Sequence, residues 1–250
     1  MTQLLLINPN TSVHVTQRMV DTAQHSVGGM ACIRGVTASD GPRIVGSRAE
    51  NVLAAQQALQ LGVEHAASAD AVILAISTDA GLWALREVLD IPVVGMLQAS
   101  VLAAAQLGQR IGLITLGAHM LPVYQEQLRL YQMDGLMQAW AAPHLPQAFL
   151  PQALAVEPLV LEQLHQQAQQ MIAAHDLDVI ILSGAVLSGY RAALQALLPV
   201  PVIDGIEAAA WQALSMAHMQ ASKATTGGFS RVHQREVTGV AQSLIRHMAG

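Results

Sequence analysis

Short aliphatic runs alternate along the chain with segments whose apolar residues recur at helical spacing. The first run, at residues 4–7, is followed at once by a polar loop at 8–12, and helical spacing begins at Val13. A short, unbroken apolar run of this kind is typical of a strand buried on both faces of a parallel sheet. The chain is therefore predicted to begin with a strand, a tight turn and a helix, for which Thr11 or Ser12 is a suitable N-cap residue.

The same strand–loop–helix unit recurs along the rest of the chain. Strands are further predicted at residues 30–36, 70–76, 91–95, 110–115, 178–182 and 199–204. Helices are predicted at 13–26, 50–67, 82–89, 98–107, from after 119 to about 131, at 159–175, after 189, at 206–219 and from about 233, with irregular segments at 141–158 and 222–230. This alternation predicts an α/β protein with mainly parallel sheets and right-handed crossovers.

The chain also repeats itself. Residues 70–85 align with 178–193 at an offset of 108, and residues 91–95 align with 200–204 at nearly the same offset. We therefore predict two similar lobes related by a pseudo-twofold axis. The first lobe would contain residues 1–96 with 206–250, and the second would contain residues 97–205.

Ligands of open parallel sheets bind beyond the C-terminal ends of the strands. Two facing lobes would therefore enclose one cleft between four loops, at residues 8–12, 76–81, 115–119 and 183–189. In the first loop, main-chain N–H groups and a helix N-terminus converge, which suits a carboxylate, carbonyl or phosphate. We expect ligand contacts from Asn8, Asn10, Thr11 and Ser12. The alternative is that these side chains only build the turn and cap the helix.

Composition narrows the function classes. Hydrophobic residues make up 52% of the 250 residues and charged ones only 12%, which indicates an ordered globular chain. No apolar run approaches the roughly 18 residues that a membrane span needs. No basic region precedes the first strand, so we expect no signal peptide and a cytosolic location. A net charge of −5 with 3% aromatic residues argues against a nucleic-acid partner.

Signatures of metal and nucleotide binding are missing from the sequence. It contains no His-x-x-x-His, His-Glu-x-x-His or Cys-x-x-Cys pattern, and no Gly-x-Gly-x-x-Gly or Walker-type loop. We therefore expect neither a metal nor a nucleotide cofactor. The single cysteine, Cys32, falls in a predicted strand and is interpreted as a small core residue.

Four motifs in order resemble the hydantoin and allantoin racemases of the aspartate/glutamate/hydantoin racemase superfamily. They lie at residues 7–12, 41–46, 79–95 and 202–209, and the resemblance covers roughly residues 4 to 215. It implies the two-lobed fold already predicted from the repeat. It further implies a cofactor-independent homo-oligomer that binds a small carboxylate or cyclic ureide in the central cleft.

In this family, two cysteines face each other across the substrate, one from each lobe. One thiolate removes the α-proton and the other thiol returns a proton on the opposite face. The motifs place these cysteines at Ile76 and Gly184, which the internal repeat also makes equivalent. Neither residue can carry a proton, so the resemblance supplies a binding site without its usual acid–base pair.

Polar side chains near these two positions are the remaining candidates for proton transfer. They are Ser77, Asp79, His119 and Ser183. A serine needs an adjacent activating group before it acts as a base. A histidine in a strand-end loop can act as a base near pH 7, although a surface position explains His119 equally well. Asp79 follows its strand at a turn, where it can instead cap the following helix.

Further ligand contacts are expected from other loops. Thr115 is the counterpart of the first loop in the second lobe. Main-chain N–H groups around Thr78, and around Ala185 and Val186, lie where helix N-termini begin. Arg48 belongs to the loop equivalent to the family's substrate-covering segment, where it can either pair with a carboxylate or face solvent.

Three functions follow from these observations. The first is a racemase or isomerase of a small amino-acid-derived compound, such as a hydantoin, allantoin or an acidic amino acid, in which other groups replace the cysteine pair. The second is a hydrolase or lyase acting on a small acid or ureide in the same cleft, because one-sided chemistry needs no matched pair. The third is a non-catalytic homologue that binds a small ligand.

Overall fold

The computed structural model describes residues 1–143, 157–230 and 238–248. Its strands are β1 (Thr2–Asn8), β2 (Ala31–Thr37), β3 (Ala71–Leu74), β4 (Val93–Gly95), β5 (Ile111–Ile114), β6 (Met137–Ala141), β7 (Val179–Leu182) and β8 (Val202–Asp204). Its helices are α1 (Val13–Val27), α2 (Arg48–His65), α3 (Leu82–Val88), α4 (Met96–Ala105), α5 (Leu121–Leu130), α6 (Pro158–His175), α7 (Arg191–Gln195), α8 (Gly205–His218) and α9 (Gln242–Met248).

The strands form two four-stranded sheets with the same topology. The order is β2-β1-β3-β4 in the first sheet and β6-β5-β7-β8 in the second, and every pairing is parallel. The register repeats as well, because Ile7 pairs with Leu74 just as Ile114 pairs with Leu182. The predicted α/β class and two-lobed architecture are therefore confirmed, whereas the residue boundaries of the lobes stay a prediction.

The apolar run of β1 is buried because both faces of its sheet are covered. Leu5 and Ile7 belong to one buried cluster, and Leu4 and Leu6 belong to another on the opposite face. This is the period-two alternation of a pleated strand. Burying each of these aliphatic side chains stabilises the fold by roughly 1.5–3 kcal/mol. Helices α1 and α8 cover the second face.

Helix α4 joins the two lobes through a shared core. It leaves β4 of the first sheet and packs against α8, β7 and β8. Its residues Leu97 and Val101 lie in one continuous buried cluster with Leu74 of the first sheet and with Leu113 and Ile181 of the second. The two sheets are thus parts of one packed body. None of the described helices is both long and apolar enough to span a bilayer.

Several local predictions need correction. Strand β6 was not predicted, because Met137–Ala141 is a half-buried edge strand without an apolar run. The last helix, α9, begins at Gln242 in the described residues, and its expected start near 233 lies outside them. Cys32 lies in β2 as predicted, but its side chain is exposed because β2 is an edge strand. Arg48 is the first residue of α2 rather than part of the preceding loop.

Two buried carboxylates fix the ends of the central strands. In the first lobe, Asp79 in the loop after β3 accepts hydrogen bonds from Leu97 N and Gln98 N of α4. In the second lobe, Asp204 at the end of β8 accepts them from Ile206 N of α8 and from Gly189 N of the loop after β7. Each carboxylate therefore ties a strand-end loop to a helix N-terminus.

The absence of a side chain at position 95 makes the first of these contacts possible. A Cβ atom on Gly95 would lie 2.6 Å from the carboxylate carbon of Asp79. We expect Gly95→Ala to lower the free energy of unfolding by about 2–4 kcal/mol, because the carboxylate must move away from the main-chain N–H groups that donate hydrogen bonds to it. Chemical denaturation measures this loss.

Gly29→Ala is the matched control, because a Cβ atom at Gly29 would meet nothing within 4 Å. We expect its free energy of unfolding to stay within about 1 kcal/mol of the wild-type value. Equal losses in the two variants would contradict the proposed role of the space at Gly95.

Candidate active site

Four hydroxyl groups converge where the central strands of the two lobes end. We call Ser77, Thr115, Tyr124 and Ser183 the hydroxyl cluster. Ser77 follows β3 in the first lobe, Thr115 and Ser183 directly follow β5 and β7 in the second, and Tyr124 lies on α5. Because parallel strands end at one edge of their sheet, three of these residues meet at the predicted cleft.

Tyr124 is the centre of the hydroxyl cluster. Its phenol oxygen lies 2.6 Å from Ser77 Oγ and accepts a hydrogen bond of 3.0 Å from Thr115 Oγ1. Burial raises the pKa of Tyr124, while Ser77, Thr115 and Ser183 oppose this rise in smaller measure. The phenol is therefore neutral at pH 7 and able to donate a proton in a hydrogen bond.

Hydrogen bonds join three members of the hydroxyl cluster into a chain. Thr115 donates to the phenol oxygen of Tyr124. The phenol oxygen and Ser77 Oγ share the next hydrogen bond, in which either atom can be the donor. Ser77 is the partly exposed member of the cluster. Hydroxyl groups in such a chain polarise one another.

Ser183 completes the hydroxyl cluster from the third strand. It is fully buried, and its Oγ makes no hydrogen bond of ordinary geometry within the described residues, although it lies close enough to Tyr124 to lower the pKa of the phenol. The next residue, Gly184, has φ +154°, and a Cβ atom there would lie 3.7 Å from Leu187 and 3.9 Å from Thr115 Oγ1. Position 184 therefore lies beside the hydroxyl cluster without adding a reactive group.

The opposite candidate position, Ile76, is an apolar residue with 6% exposure that belongs to the shared core. It directly precedes Ser77, so it lies at the same strand end as the hydroxyl cluster. The two positions at which the resemblance places thiols thus contribute an aliphatic side chain on one side and no side chain on the other.

The first loop is held together by its own amides. Asn8 Nδ2 donates to Asn10 Oδ1 at 3.0 Å and to Thr16 Oγ1 at 2.9 Å, and Asn10 Oδ1 accepts from Ser12 N at 2.9 Å. Ser12 occupies the N-cap position of α1, but its side chain makes no capping hydrogen bond, contrary to our expectation. Thr11 is partly exposed and its N–H donates to Pro42 O.

Asp79 is directed away from the hydroxyl cluster. Its carboxylate accepts from Tyr131 Oη at 2.9 Å as well as from the two amides of α4. It therefore caps α4, which lies beyond the next strand, rather than the following helix α3. The residue is 2% exposed, and this burial raises its pKa to about 6.

The remaining predicted residues lie at different distances from the cluster. Thr78 Oγ1 donates to Asn51 Oδ1 of α2 at 2.6 Å. Ala185 and Val186 open a short 3₁₀ turn, whose first N–H groups have no acceptor within the turn.

His119 is exposed in another 3₁₀ turn, formed by Ala118–Met120. Arg48 pairs with Glu126 of α5 through two hydrogen bonds of 2.6 Å, and both side chains are exposed. In the described part of the chain, no three His, Cys, Asp or Glu side chains are grouped so that they could hold a metal ion.

Comparison with known proteins identifies the family. Residues 4–213 match the family model described as Asp/Glu/Hydantoin racemase. The chain belongs to this family. It is 30% identical to the hydantoin racemase of Paenarthrobacter aurescens over 230 residues, which cover 90% of this chain and 95% of the relative. The racemase resemblance inferred from the sequence motifs is thereby confirmed.

Solved structures of other enzymes share the fold. The allantoin racemase from Klebsiella pneumoniae superposes with a TM-score of 0.90 at 24% identity, covering 98% of this chain and 99% of that one. An arylmalonate decarboxylase superposes with a TM-score of 0.57 at 17% identity, covering 86% and 92% respectively. The two-lobed architecture of the racemase family thus extends to an enzyme named for a different reaction.

Sequence reasoning missed Tyr124. An aromatic residue beside Val123 on an amphipathic helix is typical of the core, and both side chains are indeed buried. Only the position of its hydroxyl, nine residues after Thr115 and across from Ser77, distinguishes it from a packing residue.

The raised pKa of Asp79 predicts a pH dependence of stability. Because the folded carboxyl has a pKa of about 6 against an ordinary value of 3.8, the folded state binds the proton more tightly than the unfolded state. Stability contributed by Asp79 should therefore fall as the pH rises through this window. The free energy of unfolding of the wild type minus that of Asp79→Asn should decrease by up to about 3 kcal/mol from pH 4 to pH 7. Denaturant titration at each pH measures both values.

Asp178→Asn is the control of opposite sign. This partly exposed carboxylate accepts hydrogen bonds from Gln109 N and Arg110 N, which lower its pKa below 3.8. Its contribution should be constant above about pH 5 and be lost only as the pH falls further. If the difference in free energy of unfolding between wild type and Asp79→Asn stays constant from pH 4 to pH 7, the hydrogen bonds of Asp79 offset its burial and its pKa is not raised.

Proposed function

We propose that this chain is an enzyme that forms an enolate-like intermediate from a small carboxylate or cyclic ureide. The hydroxyl cluster is the observation that carries the proposal. It places neutral hydrogen-bond donors from both lobes at the shared end of the central strands. The chemistry of the racemase family begins with removal of a proton beside a carbonyl group, which develops negative charge on the carbonyl oxygen.

The hydroxyl cluster suits that developing charge for two reasons. Its donors are fixed before the reaction by bonds among Ser77, Thr115 and Tyr124, so little reorganisation is needed. The phenol also remains neutral, because burial raises its pKa. A neutral donor attracts an anionic oxygen without presenting a competing negative charge.

Racemisation or isomerisation of a small amino-acid-derived compound is the leading reaction, because the family and a hydantoin racemase relative support it. The chain has one cysteine, so a thiol pair within one chain is ruled out. Proton transfer would then depend on groups other than thiols, with Ser77 and Ser183 the candidates that lie in the hydroxyl cluster.

Decarboxylation is the second candidate, and the residues at positions 76 and 184 favour it. Loss of carbon dioxide from a malonate-like acid breaks a carbon–carbon bond and leaves the same enolate, which then takes up one proton. No base is needed for the first step. A leaving carboxylate held against Ile76 is poorly solvated, which favours its departure. The fold shared with an arylmalonate decarboxylase is compatible with this reaction.

Isotope exchange separates these possibilities. Each enantiomer of a hydantoin, allantoin, aspartate and glutamate is incubated with the protein in D2O, and the α-proton is followed by NMR. In parallel, 2-substituted malonates are tested for release of carbon dioxide. Loss of the α-proton signal supports racemisation, and carbon dioxide release supports decarboxylation. If neither occurs while a carboxylic ligand raises the melting temperature, the protein is a binding homologue and the proposal is wrong.

Tyr124→Phe tests the role of the hydroxyl cluster. We expect kcat on the substrate found above to fall about 100- to 1,000-fold, the usual effect of removing one donor to an oxyanion. Tyr131→Phe is the matched control, because that phenol is also buried but donates to Asp79. It should lower stability by about 1–3 kcal/mol and leave kcat within a few-fold of wild type below its melting temperature. Similar losses of kcat in both variants would argue that Tyr124 acts only through stability.

A further inference from the structure

Helix α1 carries a buried arginine that reaches the other lobe. Arg18 is 3% exposed, and its Nε donates to Ser188 O at 2.6 Å. Its guanidinium carbon lies 5.1 Å from the centre of the Tyr190 ring. Helix α1 packs on the first sheet, whereas Ser188 and Tyr190 follow β7 of the second. The contact therefore crosses between the lobes.

The loop that Arg18 contacts is also held from within its own lobe. Gly189 N donates to Asp204 Oδ2 at 2.7 Å, and the charge of Asp204 acts on Arg18. Gly189 has φ +87°, and a Cβ atom there would lie 3.3 Å from Thr22 Oγ1 of α1. A glycine at this position thus lets α1 approach the main chain of the loop closely.

This loop supplies half of the candidate site. It begins with Ser183 of the hydroxyl cluster and continues through Gly184 to Ala185 and Val186, which are partly exposed at the start of a 3₁₀ turn. Since Ser77 belongs to the other lobe, the distance between the two halves depends on contacts that cross between the lobes. The Arg18 side chain provides such a contact, because it donates a hydrogen bond to Ser188 O and its guanidinium lies over the Tyr190 ring.

We propose that Arg18 is a positioning residue, which fixes the loop of residues 183–190 against α1 and thereby sets the geometry of the hydroxyl cluster. The proposal deepens the proposed function and rests on it in one respect only, namely that the hydroxyl cluster is the active site. The anchoring of the loop by Arg18 is independent of any substrate.

Arg86 offers a control whose hydrogen bonds lie away from the loop of residues 183–190. Its Nε donates to Val93 O at 3.0 Å, and its Nη2 donates to Gln98 Oε1 at 2.7 Å. It is partly buried and, like Arg18, lies near a buried carboxylate, in this case Asp79. Its hydrogen bonds reach only β4 and α4, so its removal tests the loss of a hydrogen-bonded arginine without loss of a contact to that loop.

Amide hydrogen exchange measured by mass spectrometry tests the anchoring without a substrate. In Arg18→Met, peptides covering residues 183–190 should exchange about tenfold faster, because Leu187 N, Ser188 N and Gly189 N lose the frame that holds their hydrogen bonds. Peptides covering β5 should be unchanged. Arg86→Met should leave the 183–190 peptides at the wild-type rate. An unchanged loop in Arg18→Met, or faster exchange along the whole chain, would overturn the proposal.

Kinetics then test whether the anchored geometry matters for the reaction. With the substrate found by isotope exchange, Arg18→Met should lower kcat about 10- to 100-fold, whereas Arg86→Met should stay within about threefold below its melting temperature. Arg18→Lys should recover part of kcat, since it keeps the positive charge near Asp204 but loses the planar donor group. A wild-type kcat in Arg18→Met would overturn the positioning role. If no substrate is turned over, the proposed function fails and hydrogen exchange alone decides the anchoring.

Discussion

A single buried carboxylate determines how the first lobe meets the rest of the molecule. Asp79 accepts two main-chain N–H groups of α4 and the hydroxyl of Tyr131, and it has almost no contact with solvent. An ionised group in such a place is tolerated only when its acceptors are satisfied, so its partners are held in one arrangement. Since Ser77 lies two residues before Asp79, the two amide contacts to α4 also fix the loop that carries Ser77.

The second lobe also has a buried carboxylate that joins a loop to a helix, but this carboxylate lies at a strand end and not in the loop. In the first lobe the loop supplies the acid and the strand end supplies a glycine. In the second, Asp204 stands at the strand end and Gly189 in the loop. The repeat in the sequence does not reveal this relation, because Asp79 aligns with Leu187. Both lobes contain a carboxylate that bridges a strand-end loop and a helix, but the residue that provides this carboxylate differs in position between the lobes.

Much of the fold could be predicted because its central strands are short aliphatic runs covered on both faces, as in β1, β3 and β7. Strand β6 was not predicted, because an edge strand can form without a continuous aliphatic run. The site was harder, since the roles of its residues depend on distant partners. Asp79 caps α4, a helix that follows a different strand from the one that precedes Asp79. Tyr124 has the sequence context of a core residue, and only the position of its hydroxyl group in the structure distinguishes it. Arg18 is likewise an ordinary helix residue in sequence, and its partner lies 170 positions away.

The continuous core around α4 has a consequence for how the family diversifies. Because Leu97 and Val101 pack with both sheets, separating the lobes as rigid bodies would expose apolar surface at considerable energetic expense. The two halves of the molecule therefore keep a constant spacing. Other side chains at two strand ends, for example at positions 76 and 184, would change the reactive groups at the site while the architecture stays the same.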